Sequence, residues 1–256
     1  MMKRIVAFTL SLFLLLAAVS AYADGMSASF FQQTDGNSTA DENQARTDIN
    51  SACAIGDTLY ILTSNAIFRW TLTDDEPTLL LRQDGLGSDY DDTVADDTLA
   101  IGKLFADGQT LYGLNRANGV VFKLADENGF IEKPTAAVKL DWTNARKKQD
   151  DYSYTLNMGD ALVQDGTLYA LFVDYENNTI NYLISWSLAD GKQTDKKDGV
   201  LLKSLTPYKD GLFLCKYYDE NDSWDAETQT TKPASLATYN PANGETNVLL
   251  TLDISS

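Results

Sequence analysis

The segment Asp165-Gly166-Thr167-Leu168-Tyr169-Ala170-Leu171 decides the architecture, because the chain carries four versions of it. In each version a tight turn leads directly into an apolar strand that contains an aromatic residue. The other three are Gly56-Asp57-Thr58-Leu59-Tyr60-Ile61-Leu62, Asp107-Gly108-Gln109-Thr110-Leu111-Tyr112-Gly113-Leu114 and Asp210-Gly211-Leu212-Phe213-Leu214. Aspartate next to glycine between apolar runs favours a type I′ hairpin, because both central residues of that turn need a positive φ. The pattern therefore predicts four β-hairpins.

Each hairpin is followed by more strand-like sequence, so the repeated unit is larger than a hairpin. A second aromatic or apolar strand is expected at 68–72, 121–124, 184–188 and 237–241, and a third at 79–81, 136–140, 200–202 and 248–252. The aromatic anchors Tyr60, Tyr112, Tyr169 and Phe213 are 52, 57 and 44 residues apart. Short antiparallel strands that repeat at such intervals are typical of β-propeller blades. We expect an all-β, β-propeller-like chain of about four antiparallel blades. It is either a ring closed with help from residues 28–33 or an incomplete propeller.

One stretch also resembles a known repeat. The strand Leu236-Ala237-Thr238-Tyr239 and the turn Asn240-Pro241-Ala242-Asn243-Gly244-Glu245 follow an Asp-Gly strand, and together they resemble blades of bacterial quinoprotein-type and kelch-like propellers. The resemblance implies a secreted bacterial propeller, and such chains sometimes continue into a solute-binding domain. Quinoprotein blades carry a regular tryptophan docking pattern that this sequence lacks, so we expect no quinone and no other cofactor.

The first 48 residues have a different character from the repeats. Lys3 and Arg4 precede an apolar stretch over 5–19, and Ala21-Tyr22-Ala23 forms a small-x-small cleavage site, as in secretory signal peptides. Residues 24–48 are polar and poor in hydrophobic side chains, which predicts a flexible lead segment. The expected organisation is therefore a signal peptide at 1–23, a lead at 24–48 and a repeat domain at 49–256. The mature chain is expected outside the cell, without a membrane span or a lipoprotein cysteine.

Composition excludes several functions. The 256 residues contain no histidine, which rules out Ser-His-Asp triads, Cys-His pairs and histidine-ligated metal sites. With 37 acidic and 20 basic residues the net charge is −17, which argues against nucleic-acid binding. Cys53 and Cys215 both lie in apolar runs. The sequence leaves open whether they form a disulfide or remain buried thiols.

Two acidic patterns suggest chemistry. Asp219, Asn221, Ser223 and Asp225 alternate as in a calcium loop, but Trp224 stands where that loop requires glycine, so we predict no metal site. Paired carboxylates could instead hydrolyse glycosides, which makes a carbohydrate-active propeller enzyme the alternative function. Since acidic residues are abundant throughout the chain, finding pairs of them does not favour catalysis. A further alternative is the propeller part of a solute-binding or transport-associated protein.

The long connections give the main functional prediction. In a four-stranded antiparallel blade, the turns from strand one to two and from strand three to four lie at one edge. The connections from strand two to three and from one blade to the next lie at the opposite edge. The long inserts 84–97, 142–157, 174–180 and 216–235 all fall in this class. Their aromatic residues are Tyr90, Tyr152, Tyr154, Tyr175, Tyr217, Tyr218 and Trp224. Loops on a rigid scaffold commonly carry binding sites, and tyrosine and tryptophan are efficient contact residues. The sequence therefore predicts a non-catalytic module that binds a protein or carbohydrate through an acidic, aromatic loop side.

Overall fold

The computed structural model describes residues 49–71, 73–83, 85–87, 96, 98–149, 152–174, 180–218, 224–225, 230–231 and 234–252. The predicted signal peptide, the lead segment, Tyr90 and Tyr175 lie outside these ranges. So do most of the insert at 84–97 and the central residues of the insert at 174–180.

The described chain folds into four four-stranded antiparallel sheets, each formed by consecutive strands. Blade 1 contains β1 (Ile49–Ile55), β2 (Thr58–Thr63), β3 (Ala66–Thr71) and β4 (Thr78–Arg82), and blade 2 contains β5 (Lys103–Asp107), β6 (Thr110–Leu114), β7 (Val120–Asp126) and β8 (Gly129–Lys139). A two-stranded hairpin, β9 (Arg146–Gln149) and β10 (Tyr152–Thr155), precedes blade 3. Blade 3 contains β11 (Asn157–Gln164), β12 (Thr167–Asp174), β13 (Ile180–Ser187) and β14 (Gln193–Asp198). Blade 4 contains β15 (Thr206–Pro207), β16 (Phe213–Tyr217), β19 (Ala234–Tyr239) and β20 (Thr246–Leu252), with the small hairpin β17 (Trp224–Asp225) and β18 (Thr230–Thr231) inserted before β19.

These four sheets form a ring, so the prediction of a four-bladed β-propeller is confirmed. The turn chemistry is confirmed in blade 3, where Gln164 pairs with Thr167 and the two residues between them both have positive φ, 52° at Asp165 and 70° at Gly166. The only helical elements in the described ranges are two 3-10 turns, Thr143–Ala145 and Lys209–Gly211.

One strand was predicted in the wrong place. We expected the outer strand of blade 3 at 200–202, but that strand is β14, with the sequence Gln-Thr-Asp-Lys-Lys-Asp. Hydrophobicity cannot reveal such a strand, because an outermost strand can be polar along its whole length when solvent faces it. Residues 200–202 instead link blade 3 to blade 4, and Leu202 forms an isolated bridge with Tyr217. The first strand of blade 4 is the two-residue β15.

Apolar clusters fill three of the seams between neighbouring blades. Leu62 of blade 1 packs with Leu104 and Phe122 of blade 2, and Leu171 of blade 3 packs with Phe213 of blade 4. The seam between blades 2 and 3 is the most aromatic, since Trp142 stacks on Trp186 with ring centroids 4.9 Å apart. A fourth cluster, Ile61, Ala66, Phe68 and Leu59, lies within blade 1 on the face turned away from blade 2.

The aromatic anchors are equivalent in three blades, and the prediction for Phe213 is wrong by one residue. Tyr60, Tyr112 and Tyr169 each occupy the third position of the second strand and pack toward the following blade. Counted from the aspartate of its turn, Phe213 corresponds to Leu168, and it packs back toward blade 3. Because side chains alternate between faces, a shift of one residue moves a side chain to the other side of the sheet. The residue of blade 4 that corresponds to Tyr169 is Leu214.

Candidate binding surface

The strand order separates the connections into two sets. Connections from β2 to β3, β6 to β7, β12 to β13 and β16 to β19, together with all blade-to-blade links, leave the same ends of the antiparallel strands. The long inserts belong to this set, whereas the turns at Asp107, Asp165, Asp210 and Asn243 leave the opposite ends. The turn at Asp190 leaves the opposite end of its own sheet but touches the connection between blades 2 and 3, because Gly191 O accepts a hydrogen bond from Asp141 N at 2.8 Å. We call the edge with the long inserts the connection side.

The insert between blades 2 and 3 begins as part of the core. The Trp142 ring is 5% exposed, and its Nε1 donates to Arg116 O at 3.0 Å. A Cβ at Gly119 would lie only 2.7 Å from this ring, so the blade 2 backbone approaches the indole closely. Trp142 therefore anchors the base of the insert before the chain turns out into β9.

The hairpin β9–β10 carries two of the predicted contact residues. Tyr154 is paired with Lys147 and Tyr152 with Gln149, so both tyrosines have fixed backbone positions in a regular antiparallel ladder. Ala145 O accepts from Leu156 N at 2.8 Å, which closes the base of the hairpin.

A charged contact fastens this hairpin to blade 3. Lys147 Nζ donates to a carboxylate oxygen of Asp174, whose side chain is 0% exposed, and lies 3.2 Å from the Tyr182 hydroxyl. The hydrogen bond to Asp174 is the main reason that the pKa of Lys147 is raised above its usual value. Lys196 Nζ lies 4.6 Å from the centroid of the Tyr182 ring, a cation–π distance. The hairpin is therefore held at the connection side by a buried carboxylate.

A second charged contact ties together the innermost strands around the propeller axis. Asp160 of β11 accepts from Lys103 Nζ of β5 at 2.8 Å and from Leu205 N, just before β15, at 2.8 Å. Blade 1 joins through Ser51, whose Oγ accepts from Leu104 N at 2.9 Å. Hydrogen bonds thus link the inner strands of blades 1, 2 and 3 with one another and with the segment that leads into blade 4, which fixes the spacing between the connections they support.

The remaining predicted residues fall into different settings. Tyr217 ends β16, is half-buried and packs against the cluster between blades 3 and 4. Tyr218 is 5% exposed, with Lys216 Nζ 5.1 Å from its ring centroid. Trp224 lies in β17 opposite Thr231. Tyr217 and Tyr218 therefore contribute to packing at the base of the last insert.

The thiols are unpaired and weakly reactive. Cys53 and Cys215 are both free, which answers the question that the sequence left open. Burial raises the pKa of each thiol to about 11, so very little thiolate exists at neutral pH. Within the described ranges, cysteine and carboxylate side chains form no group of three or more that could hold a metal ion.

The residues that organise this surface, Lys147, Asp160 and Asp174, were not predicted from the sequence. Lys147 is part of the basic run Arg146-Lys147-Lys148 in an acidic chain, and Asp174 directly follows an apolar strand. Both signals are visible in the sequence, but their pairing joins residues 27 positions apart in different sheets. Asp160 gives no comparable signal, because its partners Lys103 and Leu205 lie outside its own blade and 57 and 45 positions away in sequence.

No protein-family model matches the chain, and no curated protein matches it. Among solved structures it is similar to the computationally designed Ika4 protein, with 11% identity and a TM-score of 0.41 over 81% of this chain and 93% of that one. It is also similar to a nidogen/laminin complex, with 16% identity and a TM-score of 0.44 over 78% of this chain. A hemopexin-fold protein from cow pea, CP4, shows 10% identity and a TM-score of 0.39 over 80% of this chain and 92% of that one.

The chain spans 64% of the matched chain in the nidogen/laminin structure. The class defined by its own sheets is the four-bladed β-propeller. No helix in the described part of the chain has the length and apolar character required to cross a membrane.

Proposed function

We propose that this chain is an exported, non-catalytic binding module that holds a protein or carbohydrate ligand against its connection side. The observation that carries the proposal is the contact between Lys147 and the fully buried carboxylate of Asp174. This contact fixes a hairpin that contains Tyr152 and Tyr154 in its backbone ladder at the connection side. A recognition element ordered before binding loses less conformational entropy on binding.

The scaffold beneath the hairpin supports the same function. Asp160 links β11 to β5 and to the segment before β15, so the inserts rise from strands whose separation is fixed. Rigid elements that present variable loops are a common basis for recognition. The apolar 5–19 segment and the Ala21-Tyr22-Ala23 site support export.

The negative net charge of the protein favours some classes of ligand over others. With a net charge of −17, the protein repels polyanions at long range and attracts cationic surfaces. A neutral glycan or a basic protein surface therefore fits better than an acidic polysaccharide. Binding of a basic protein should weaken as salt is raised, whereas binding of a neutral glycan should change little.

The test is a binding screen followed by matched substitutions. The mature chain is screened against immobilised neutral polysaccharides and against a panel of basic extracellular proteins. For the best probe, Tyr152→Ala and Trp224→Ala should each weaken binding by at least ~1 kcal/mol, which is about fivefold in Kd. Gln109→Ala and Asn128→Ala change exposed residues at the opposite strand ends and serve as controls that should leave Kd unchanged. Equal losses of affinity in the aromatic variants and in the controls would mean that the ligand does not bind at the connection side, and would contradict the proposal.

A further inference from the structure

The exposed apolar side chains are concentrated on two blades. Every large hydrophobic side chain that is exposed within the described ranges belongs to blade 1 or blade 4. Three of them, Val248, Leu249 and Leu250, are consecutive on β20, with Leu250 54% exposed. Consecutive exposure of large apolar residues on one strand differs from the scattered exposure that is normal for a soluble surface.

The strand β20 is also an unprotected edge. It is the outermost strand of blade 4, and no other described strand pairs with its outer side. The outer strands of blades 2 and 3 carry charges, including Lys133 and Lys139 on β8 and Lys196 and Lys197 on β14, whereas β20 has the uncharged sequence Thr-Asn-Val-Leu-Leu-Thr-Leu. Natural proteins commonly block exposed sheet edges with charged residues, because a flat apolar edge recruits another strand.

The two faces of β20 are both apolar. Val248 lies opposite Ala237, which packs in the cluster between blades 3 and 4, and Leu250 lies opposite Leu236 on the other face. A β-bulge between these pairs places Leu249 outside the regular ladder. A strand that covered this edge would need apolar side chains at adjacent positions, so that one points to each face.

We propose that residues 26–34 of this chain add to the outer edge of β20 as a fifth strand of blade 4. Their sequence, Met-Ser-Ala-Ser-Phe-Phe-Gln-Gln-Thr, is uncharged and nine residues long, and β20 has seven residues. Phe30 and Phe31 are adjacent, so in an extended strand their rings point to opposite faces. One ring covers the Val248 face and the other covers the Leu250 face.

The chain is long enough to make this connection. Residues 35–48 separate the proposed strand from Ile49 and span up to ~45–50 Å when extended. Neighbouring strands lie ~4.8 Å apart, so a fifth strand would be ~19 Å from the innermost strand of its blade. The linker can therefore run from the proposed strand to the start of β1 in the neighbouring blade. Strand addition supplies main-chain hydrogen bonds along the edge, and the phenylalanines supply the apolar cover.

Hydrogen exchange on the mature chain tests the proposal. Phe30→Asn combined with Phe31→Asn should speed amide exchange over 248–252 by about tenfold or more, as expected when a strand loses its ladder partner. Gln32→Asn combined with Gln33→Asn is the matched control and should leave these rates unchanged. The molecular mass in solution, measured by light scattering on the same samples, should be that of a monomer.

A variant of β20 tests the same contact if the double phenylalanine variant does not fold. Leu250→Lys in the chain with an intact lead should speed exchange over residues 26–34 by a similar factor. Unchanged β20 rates in a folded phenylalanine variant overturn the proposal. A dimer mass would then show that a second copy covers the edge, and a monomer mass would show that the edge is bare. Residues 26–34 that exchange at the unprotected rate in the unmodified chain overturn it as well.

Discussion

The ring of Phe213 in blade 4 meets the ring of Tyr169 in blade 3 edge-on, with centroids 4.8 Å apart and planes at 74°. Tyr169 packs toward blade 4 and Phe213 packs toward blade 3, so the two rings fill the seam between these blades from both sides. Edge-to-face pairs at this distance are favourable because the positive ring edge meets the negative ring face. This contact accompanies the shift of the blade 4 aromatic, which stands one residue closer to the aspartate of its turn than Tyr169 does.

The seam should depend on Phe213 far more than on its neighbour. Phe213 is 0% exposed, so Phe213→Ala should lower the free energy of unfolding by ~3–5 kcal/mol. Leu214→Ala is the matched control, because Leu214 is half-buried on the other face, and it should cost ~1–2 kcal/mol. Urea unfolding monitored by tryptophan fluorescence measures both. Equal losses of unfolding free energy in the two variants would mean that Phe213 does not face blade 3.

Two glycines with the same backbone conformation should respond differently to alanine. Gly191 and Gly244 have φ of 72° and 77°, so both pay a similar conformational strain of ~1 kcal/mol when substituted. An added Cβ at Gly191 would lie 2.0 Å from Lys139 O, whereas at Gly244 the nearest atom is 3.7 Å away. Gly191→Ala should therefore lower the melting temperature much more than Gly244→Ala in a thermal unfolding series. Similar shifts in melting temperature would show that the turn at Gly191 is not in close contact with the end of β8.

The hydroxyl of Tyr239 is buried and has no hydrogen-bond partner among the described residues. Removing it in Tyr239→Phe should leave stability unchanged or raise it by ~1 kcal/mol, because the desolvation penalty of the hydroxyl disappears. Tyr182→Phe is the control, since the Tyr182 hydroxyl accepts a hydrogen bond from Lys147 Nζ at 3.2 Å, and it should lower stability by ~0.5–1.5 kcal/mol. Chemical denaturation of the two variants should therefore give shifts of opposite sign, and a clear loss in Tyr239→Phe would point to a partner for its hydroxyl.

Stability should fall at high pH. Burial raises the pKa of Cys53 and of Cys215 from 9.0 to about 11, so the folded state retains the neutral thiols more strongly than the unfolded chain. Their contribution is complete below pH 9 and is lost as pH rises toward 11. Lys147 adds to this trend, because its raised pKa stabilises the fold until the lysine deprotonates. Unfolding measured from pH 8 to 11 should show a decline that is shallower in the Cys53→Ala, Cys215→Ala double variant. If stability declined equally steeply with pH in the double variant and in the unmodified protein, the thiols would be excluded as the cause of the decline.

The hairpin should loosen when its cation is removed. Lys147→Met removes the ammonium group that donates to the buried carboxylate of Asp174 and should destabilise the protein by ~1–3 kcal/mol. Lys196→Met is the control, because Lys196 also lies over Tyr182 but pairs with the exposed Asp198. That change should cost under ~1 kcal/mol. Hydrogen exchange at residues 146–155 should accelerate only in Lys147→Met, and slow exchange in both variants would show that another contact holds the hairpin.

Features encoded within a few residues could be predicted from the sequence. The turn at Asp165-Gly166 and the apolar strand after it are local, because positive φ and alternating burial each depend on adjacent residues. The same holds for the assignment of the long inserts to one class of connection, since antiparallel order alternates the strand ends. The polar strand β14 could not be predicted, because its backbone pairing with β13 rather than its own hydrophobicity holds it in place.

The sequence by itself determined the four repeats, their hairpins and the all-β class, because turn geometry and strand periodicity are short-range properties of the chain. Only the tertiary structure decided that Phe213 faces backward, that Trp142 fills the seam between blades 2 and 3, and that Asp174 holds Lys147. Each of these depends on two sheets meeting at a particular register and angle. Such contacts join residues whose separation in sequence carries no periodic signal, so they exist only once the blades have packed.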